Sequence, residues 1–266
     1  MSKKTSVAAL ALAAAALVVP VAAASARPSA HPSAGPSPAV NTCTNAGAGV
    51  TLVHYCISPE GFVVEYNAGT SLRHLDGQLE GYTLCWTGGG AKSYANVGIT
   101  TNFGAPIQTG VNPLTIARTT TDGKFQLSQQ FFTDTQNGGV RIQMSLKNLT
   151  ASTITGVKIS RLADMDADAD SVNATLVATD SATQVSSASK IGVTARPLSY
   201  SIPHGANVET YSTVSSNFSV NLSSCSPVAP VVSPNFGIDG IARVDYTLGN
   251  VNAGATKLVK LAYDRA

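Results

Sequence analysis

The chain has 266 residues, 12% of them charged, with 17 Lys and Arg against 15 Asp and Glu. Apart from the adjacent Lys3 and Lys4 its basic residues are scattered singly, which excludes the basic, aromatic-interleaved face of a nucleic-acid binder, so no nucleic-acid partner is expected. The length suits one large all-β domain, since such domains often run to about 200–250 residues.

Residues 1–26, MSKKTSVAALALAAAALVVPVAAASA, combine Lys3 and Lys4 with an apolar stretch and the small-residue pattern Ala24-Ser25-Ala26. This is the pattern of a signal peptide, and it predicts a secreted, extracellular protein. Pro20 interrupts the stretch before the roughly 20 apolar residues that a membrane span needs. No membrane span is therefore expected in the mature chain. Removal of this segment leaves 15 basic residues facing 15 acidic ones. Residues 27–42, RPSAHPSAGPSPAVNT, are rich in Pro, Ser and Ala and read as a flexible linker, leaving 43–266 as the domain.

Cys43, Cys56, Cys85 and Cys225 are an even number in an exported chain, which predicts two disulfides. Of the three pairings, Cys43–Cys56 with Cys85–Cys225 is the expectation. The first closes a short loop, and the second ties the middle of the chain to its late part. No CxxC, HExxH or HxH spacing joins the cysteines or His54, His74 and His204 into a metal motif. CWTGGGAKSY, residues 85–94, sets Trp86 beside three glycines, with Tyr82 and Tyr94 near it. Two readings stand: a stacking platform for a sugar, or a core anchor beside Cys85.

Short apolar–polar runs then follow one another, with no helix-period segment. LTIARTTT (114–121) meets KFQLSQQFF (124–132) through Asp122-Gly123, a hairpin pair that tolerates positive φ. The chain turns again at Asn137-Gly138 into GVRIQMSLKN (139–148). There Val140, Ile142, Met144 and Leu146 alternate with Arg141, Gln143, Ser145 and Lys147, so one face is core and the other water. ITGVKISRLAD (154–164) reads as the fourth strand of this meander, with Leu162 out of phase and a bulge or a bend expected near Ser160-Arg161. Further strands are expected at about 174–179, 184–194, 208–214, 217–222, 240–249 and 256–263. The fold class is therefore all-β, one large antiparallel β-sandwich, and a monomer.

DMDADADS places Asp164, Asp166, Asp168 and Asp170 at alternate positions where the strand ends. Like charges so close need a cation, a basic partner or bulk water. A turn there would suit Ca2+, which takes 6–8 oxygens. The spacing resembles the first half of an EF-hand loop, but Ala169 and Thr175 stand where its Gly and Glu belong. The alternative is a solvated acidic loop or one paired with Arg161. No GxSxG elbow is present. Glycoside cleavage would need two facing carboxylates, for which Glu65, Glu80, Asp76 and Asp134 are candidates. Asn148, Asn173, Asn217 and Asn221 head N-x-Ser/Thr triplets, which matter only in a eukaryotic secretory host.

Two segments, ISPEGFVVEYNAGTSLRHLDGQLEGYTLCW (57–86) and ARTTTDGKFQLSQQFFTDTQNGGVRIQMSLKNLTASTITGVKISRLADMDAD (117–168), carry a resemblance. They resemble a group of secreted bacterial β-sandwich proteins that share a Ser-Pro-x-Gly strand, an EGY-x-x-C strand and an RLAD-x-D strand end. That resemblance implies a fold and no particular activity. In style the chain is also similar to the large, supersandwich-like folds of the galactose-mutarotase type, which handle carbohydrates. Their His and Glu pair has no matching motif here, so neither residue is carried over.

The functional expectation is a non-catalytic extracellular binding or structural protein, with Ca2+ on the aspartates and a polysaccharide as ligand. Its rivals are a carbohydrate-active hydrolase or epimerase using paired carboxylates, and an enzyme inhibitor presenting a rigid loop.

Overall fold

The computed structural model describes residues 41–47, 52–68, 75–87, 90–95, 99–100, 102–165, 175–177, 181–185, 192–198, 212–217 and 241–266, some at the backbone only. The chain divides into Met1–Pro38 and Ala39–Ala266, and every described residue lies in the second unit. Among the described residues there is no helix, and the strands pair antiparallel in three sheets. Among the described residues no helix is long and apolar enough to cross a membrane.

The first three strands, β1 (Thr42–Ala46), β2 (Val53–Ile57) and β3 (Val63–Ala68), form a small sheet in that order. β4 (Leu75–Trp86), β5 (Gly90–Ala95) and β6 (Ile99–Thr100) join a six-stranded sheet. β7 (Ile107–Thr109), β8 (Leu114–Thr119), β9 (Phe125–Asp134) and β10 (Gly139–Asn148) run as a meander along one side of an eight-stranded sheet. β11 (Ile154–Met165) crosses to the six-stranded sheet. β12 (Thr175–Val177), β13 (Ala182–Val185) and β14 (Gly192–Pro197) return to the eight-stranded one. β15 (Ser212–Asn217) and β16 (Ile241–Val251) pair in the six-stranded sheet, and β17 (Thr256–Arg265) closes the eight-stranded sheet between β14 and β10.

The alternation seen in the sequence builds the interior. Val140, Ile142, Met144 and Leu146 of β10 face Ile159, Ala163 and Met165 of β11 and Val244 and Tyr246 of β16 in one buried cluster. The fold is thus the expected β-sandwich. The hairpin at Asp122-Gly123 is also present: Gly123 has φ 69°, and Thr120 N donates to Phe125 O at 2.9 Å.

One expectation about β11 needs correction. It is not the fourth strand of the meander, because β10 pairs with β17 and β11 pairs with β4 and β16. The loop between β10 and β11 is held by Asn148, whose Nδ2 donates to Ser152 O and Val251 O while Oδ1 accepts from Thr150. Asn148 is fully buried, so its triplet cannot carry a glycan. The irregularity expected near Ser160-Arg161 is present one residue further on, at Leu162/Asp164, with two others at the start of the strand, at Ile154/Val157 and Val157/Lys158. Leu162 is out of phase because β11 is covered on both faces: Ser160, Leu162 and Asp164 are buried as well as Ile159, Arg161 and Ala163.

The three motifs behind the resemblance meet inside the sandwich. Ser58-Pro59-Glu60-Gly61 forms the β2–β3 turn, with Gly61 N donating to Ser58 O and Phe62 N to Ser58 Oγ. Glu80 on β4 accepts from Arg161 Nε and Nη2 on β11, from Val63 N at 2.8 Å and from Tyr263 OH at 2.8 Å. Arg161 also donates to Gln129 Oε1 on β9 and to Gly61 O, and lies 5.9 Å from the Tyr82 ring and 5.8 Å from the Phe131 ring. Burial raises the Glu80 carboxyl, and the Arg161 charge and hydrogen bonds oppose it. Both side chains have zero exposure. A buried charge needs its partner and every hydrogen bond, and here one arginine ties together both large sheets and the small one. Gly61 has φ +91°, and a Cβ there would come within 2.2 Å of Gln129 Nε2, so this turn requires glycine.

Candidate functional site

The polar side chains of β10 that the sequence assigns to water floor a groove of about 750 Å³ on the outer face of the eight-stranded sheet. β9 contributes Phe132 and Asp134, β10 contributes Arg141 and Gln143, β14 contributes Arg196 and β17 contributes Lys260. Cross-strand partners share a face, and the register explains the convergence. Asp134 and Asp264 both pair with Gly139, one from each side. Neighbouring strands lie about 4.8 Å apart, so the two aspartate Cα atoms are roughly 10 Å apart. A Cβ on Gly139 would meet Tyr263 O at 2.2 Å and Asp264 Oδ1 at 3.1 Å, so only glycine leaves Tyr263 and Asp264 their places.

Each acid anchors an arginine. Asp134 Oδ2 accepts from Arg141 Nε at 2.7 Å and Nη2 at 2.6 Å and from Asn137 Nδ2 at 2.9 Å, while Oδ1 accepts from Gln136 N and Asn137 N. Burial pushes this carboxyl up, but hydrogen bonds from Asn137, Arg141 and Gln136 outweigh it and leave it below the ordinary aspartate range. Asp264 Oδ2 accepts from Arg196 Nε at 2.6 Å, and its buried Oδ1 has no hydrogen-bond partner. Burial raises the Asp264 carboxyl, Arg196 opposes this, and the negative charge of Asp134 adds to it. The arginines themselves stay open to solvent, with side-chain exposures of 45% for Arg141 and 36% for Arg196. Among the described residues Arg196 is held through Nε, with no hydrogen bond from its two Nη groups. Gln143 Nε2 donates to Gln130 Oε1 at 2.9 Å and extends the polar floor toward β8. Phe132, half-buried, supplies an apolar wall.

The residues singled out from the sequence are placed differently. Tyr82 is fully buried, packed on Phe62 and Phe103, with its hydroxyl donating to Glu60 O at 3.2 Å. Trp86 is 5% exposed, packs on Phe125 at 5.2 Å and has Lys124 Nζ 5.5 Å from its ring, beside a smaller hollow lined by Thr87 and residues 152–155. Tyr94 pairs with Tyr82 in the β4–β5 ladder. Asp164 is buried at the end of β11, opposite Asp76 of β4 in the register. Asp166, Asp168, Asp170 and Cys225 lie outside the described residues. Cys43 and Cys56 are bonded to each other as expected, and Cys85 is also disulfide-bonded. Of the candidate acids, Glu80 is spent in the interior and Glu65 lies on the small sheet. Among the candidate acids whose side chains are described, Asp134 is the one that reaches the groove. Sequence reading passed over Arg196, Lys260 and Asp264, which come from strands distant in the chain and carry no local motif.

No family model matches the chain, and no curated protein matches it in sequence. Its fold is similar to that of a bacterial glucoamylase solved with acarbose, with a TM-score of 0.55 at 9% identity over 88% of this chain and 34% of that one. A heparan sulfate lyase mutant from Pedobacter heparinus is similar at a TM-score of 0.46, with 10% identity over 86% of this chain and 35% of that one. A candidate aldose 1-epimerase from Escherichia coli K12 has a TM-score of 0.44, with 8% identity over 85% of this chain and 99% of that one. This chain spans about a third of the length of the glucoamylase and lyase chains. At such identities the likeness to the glucoamylase shows the fold, and the two fainter ones carry no argument.

Proposed function

We propose that this is a secreted carbohydrate-binding protein and that the groove on the eight-stranded sheet holds an acidic saccharide. The observation that carries this reading is the pair of arginines that line the groove, each fixed by a buried aspartate beside Gly139 and each still open to solvent. A guanidinium held through Nε is already oriented, so it binds a carboxylate with little further loss of freedom. Gln143 and Gln130 suit hydroxyls, and Phe132 suits the apolar face of a sugar ring. The fold shared with part of a bacterial glucoamylase agrees with this ligand class.

The test is calorimetric titration with uronate-containing and neutral oligosaccharides of equal length. Uronate oligomers are expected to bind at least about tenfold more tightly, a difference of about 1.4 kcal/mol. Arg196→Ala is expected to remove that preference. Equal binding of both ligands, or a preference that survives Arg196→Ala, would overturn the acidic-saccharide reading.

A second reading, a hydrolase or epimerase, has one observation in its favour. Asp134 and Asp264 flank Gly139 with carboxyls shifted in opposite directions, the arrangement that separates a base from an acid. Against it, Asp134 already takes hydrogen bonds from Gln136, Asn137 and Arg141. Release of reducing ends from a bound oligosaccharide, lost in Asp264→Asn with binding retained, would establish this reading instead.

The same proposal gives Ca2+ to Asp164, Asp166, Asp168 and Asp170, on the strength of their alternate spacing. Calcium at 100 times its dissociation constant is expected to add about 2.7 kcal/mol of stability. Asp166→Asn combined with Asp168→Asn is expected to abolish the rise in melting temperature.

A further inference from the structure

The small sheet carries a second constellation, on the face opposite Tyr55 and Tyr66, whose hydroxyls bond to Thr133 and Gly138. The ladder β1-β2-β3 sets Cys43, Cys56 and Glu65 in one row, and Asn45, His54 and Asn67 in the next row on the same face. Cys56 Sγ lies 3.5 Å from His54 Nε2 and 3.5 Å from Glu65 Oε2, and His54 Nε2 lies 3.8 Å from Glu65 Oε1. The ligand atoms of Cys43, His54 and Cys56 all fall within 4.8 Å of one another.

The second row orients the first. His54 Nδ1 donates to Asn45 Oδ1 at 3.0 Å, which leaves the lone pair of Nε2 directed at the sulfurs. Asn67 Nδ2 donates to Glu65 Oε1 at 2.6 Å and holds that carboxylate in place. Outer hydrogen bonds of this kind are what fix metal-ligating His and Glu side chains. Tetrahedral zinc with Zn–S near 2.3 Å and Zn–N and Zn–O near 2.0–2.2 Å needs ligand atoms about 3.4–3.8 Å apart. The three distances fall in that range.

The Cys43–Cys56 bond is what closes the site, because a disulfide offers no thiolate. We propose that reduction of this disulfide creates a zinc site of two thiolates, His54 Nε2 and the Glu65 carboxylate. A dithiol reductant supplies two electrons and two protons and leaves as its own disulfide, while the Cys43–Cys56 bond breaks into two thiols. Zinc then displaces those two protons and binds both sulfurs. Geometry favours the change: β1 is the edge strand of its sheet and Cys43 is exposed, so a reductant reaches it and its side chain can swing to open room for the ion. Cys56, buried, stays fixed beside His54 and Glu65.

The test is zinc and cobalt titration of the whole protein before and after reduction with a phosphine. The reduced protein is expected to take one equivalent, with the thiolate-to-cobalt charge-transfer bands of a tetrahedral site, and the oxidised protein none. Cys43→Ser with Cys56→Ser is expected to lose the site under reducing conditions, although Cys85 and Cys225 remain. Asn45→Ala, which touches no metal, is expected to weaken zinc by about 10–100-fold. Three results would each overturn the proposal: uptake by the double serine variant as tight as by the reduced parent, tetrahedral cobalt bands unchanged in His54→Ala, or uptake only with loss of the β-sheet circular dichroism.

Discussion

Glu80–Arg161 and Asp134–Arg141 join the same two functional groups in two settings. In the first, both side chains have zero exposure and the carboxylate is filled by an arginine, a tyrosine hydroxyl and a backbone amide from three other strands. In the second, the acid is buried but 45% of the arginine side chain meets solvent at the rim of a groove. Coordination is rich in both, so the pairing alone does not tell a structural ion pair from a recognition element. Burial of the cation does. Arg161 spends its hydrogen-bonding groups inside the protein, whereas Arg141, held through Nε and Nη2, and Arg196, held through Nε, both remain open to solvent.

The largest effect expected from this contrast is on folding. Arg161→Ala leaves a buried carboxylate without its counter-charge and is expected to cost about 3–5 kcal/mol, read as the loss in urea unfolding free energy. A cost under about 1 kcal/mol would erase the distinction between the two sites. Next is Gly61→Ala, which forces a Cβ into a positive-φ turn and against Gln129, for an expected loss of more than about 1 kcal/mol. At the groove the pattern should invert. Arg141→Ala, removing a half-exposed pair, is expected to change stability by less than about 1 kcal/mol while weakening uronate binding about tenfold.

The smallest effect concerns pH. The Asp134 carboxyl sits below its unfolded value of about 3.9, so its contribution to stability is full above that pH and is lost as the pH falls through the folded value. Asp134→Asn should therefore flatten the acid side of the melting-temperature profile below about pH 4. Asp264 runs the other way. Its raised carboxyl favours the folded state below the unfolded value and loses that contribution as the pH rises through the folded one. Asp264→Asn should leave the acid limb of the profile in place. If the two variants shift the limb alike, the groove acids act as one coupled pair.

The faces of the strands were legible without any structure. Alternation in 139–148 separates Val140, Ile142, Met144 and Leu146, all buried, from Arg141, Gln143, Ser145 and Lys147. The Cys43–Cys56 bond was legible as a short loop and proved to be a cross-strand pair. The motif residues of 58–61, 80–82 and 161–164 were legible as a recurring signature. Their purpose was not, because an arginine beside Leu-Ala-Asp looks the same in sequence whether it meets water or a glutamate.

The single strand expected at 184–194 is two, Ala182–Val185 and Gly192–Pro197, paired with each other. What the amino-acid sequence determined by itself is local: that the segments of 114–148 are strands, which side of each is apolar, and where Gly123 and Gly138 turn the chain. These follow from the two-residue period of a strand and from backbone sterics, and both act within a few residues. Only the tertiary structure decided that β10 takes β17 and not β11 as its neighbour, and so that Asp134 and Asp264 flank Gly139 with Arg141 and Arg196 above them. Strand partners far apart in the chain are chosen by the burial of whole faces against one another. No short run of residues contains that information.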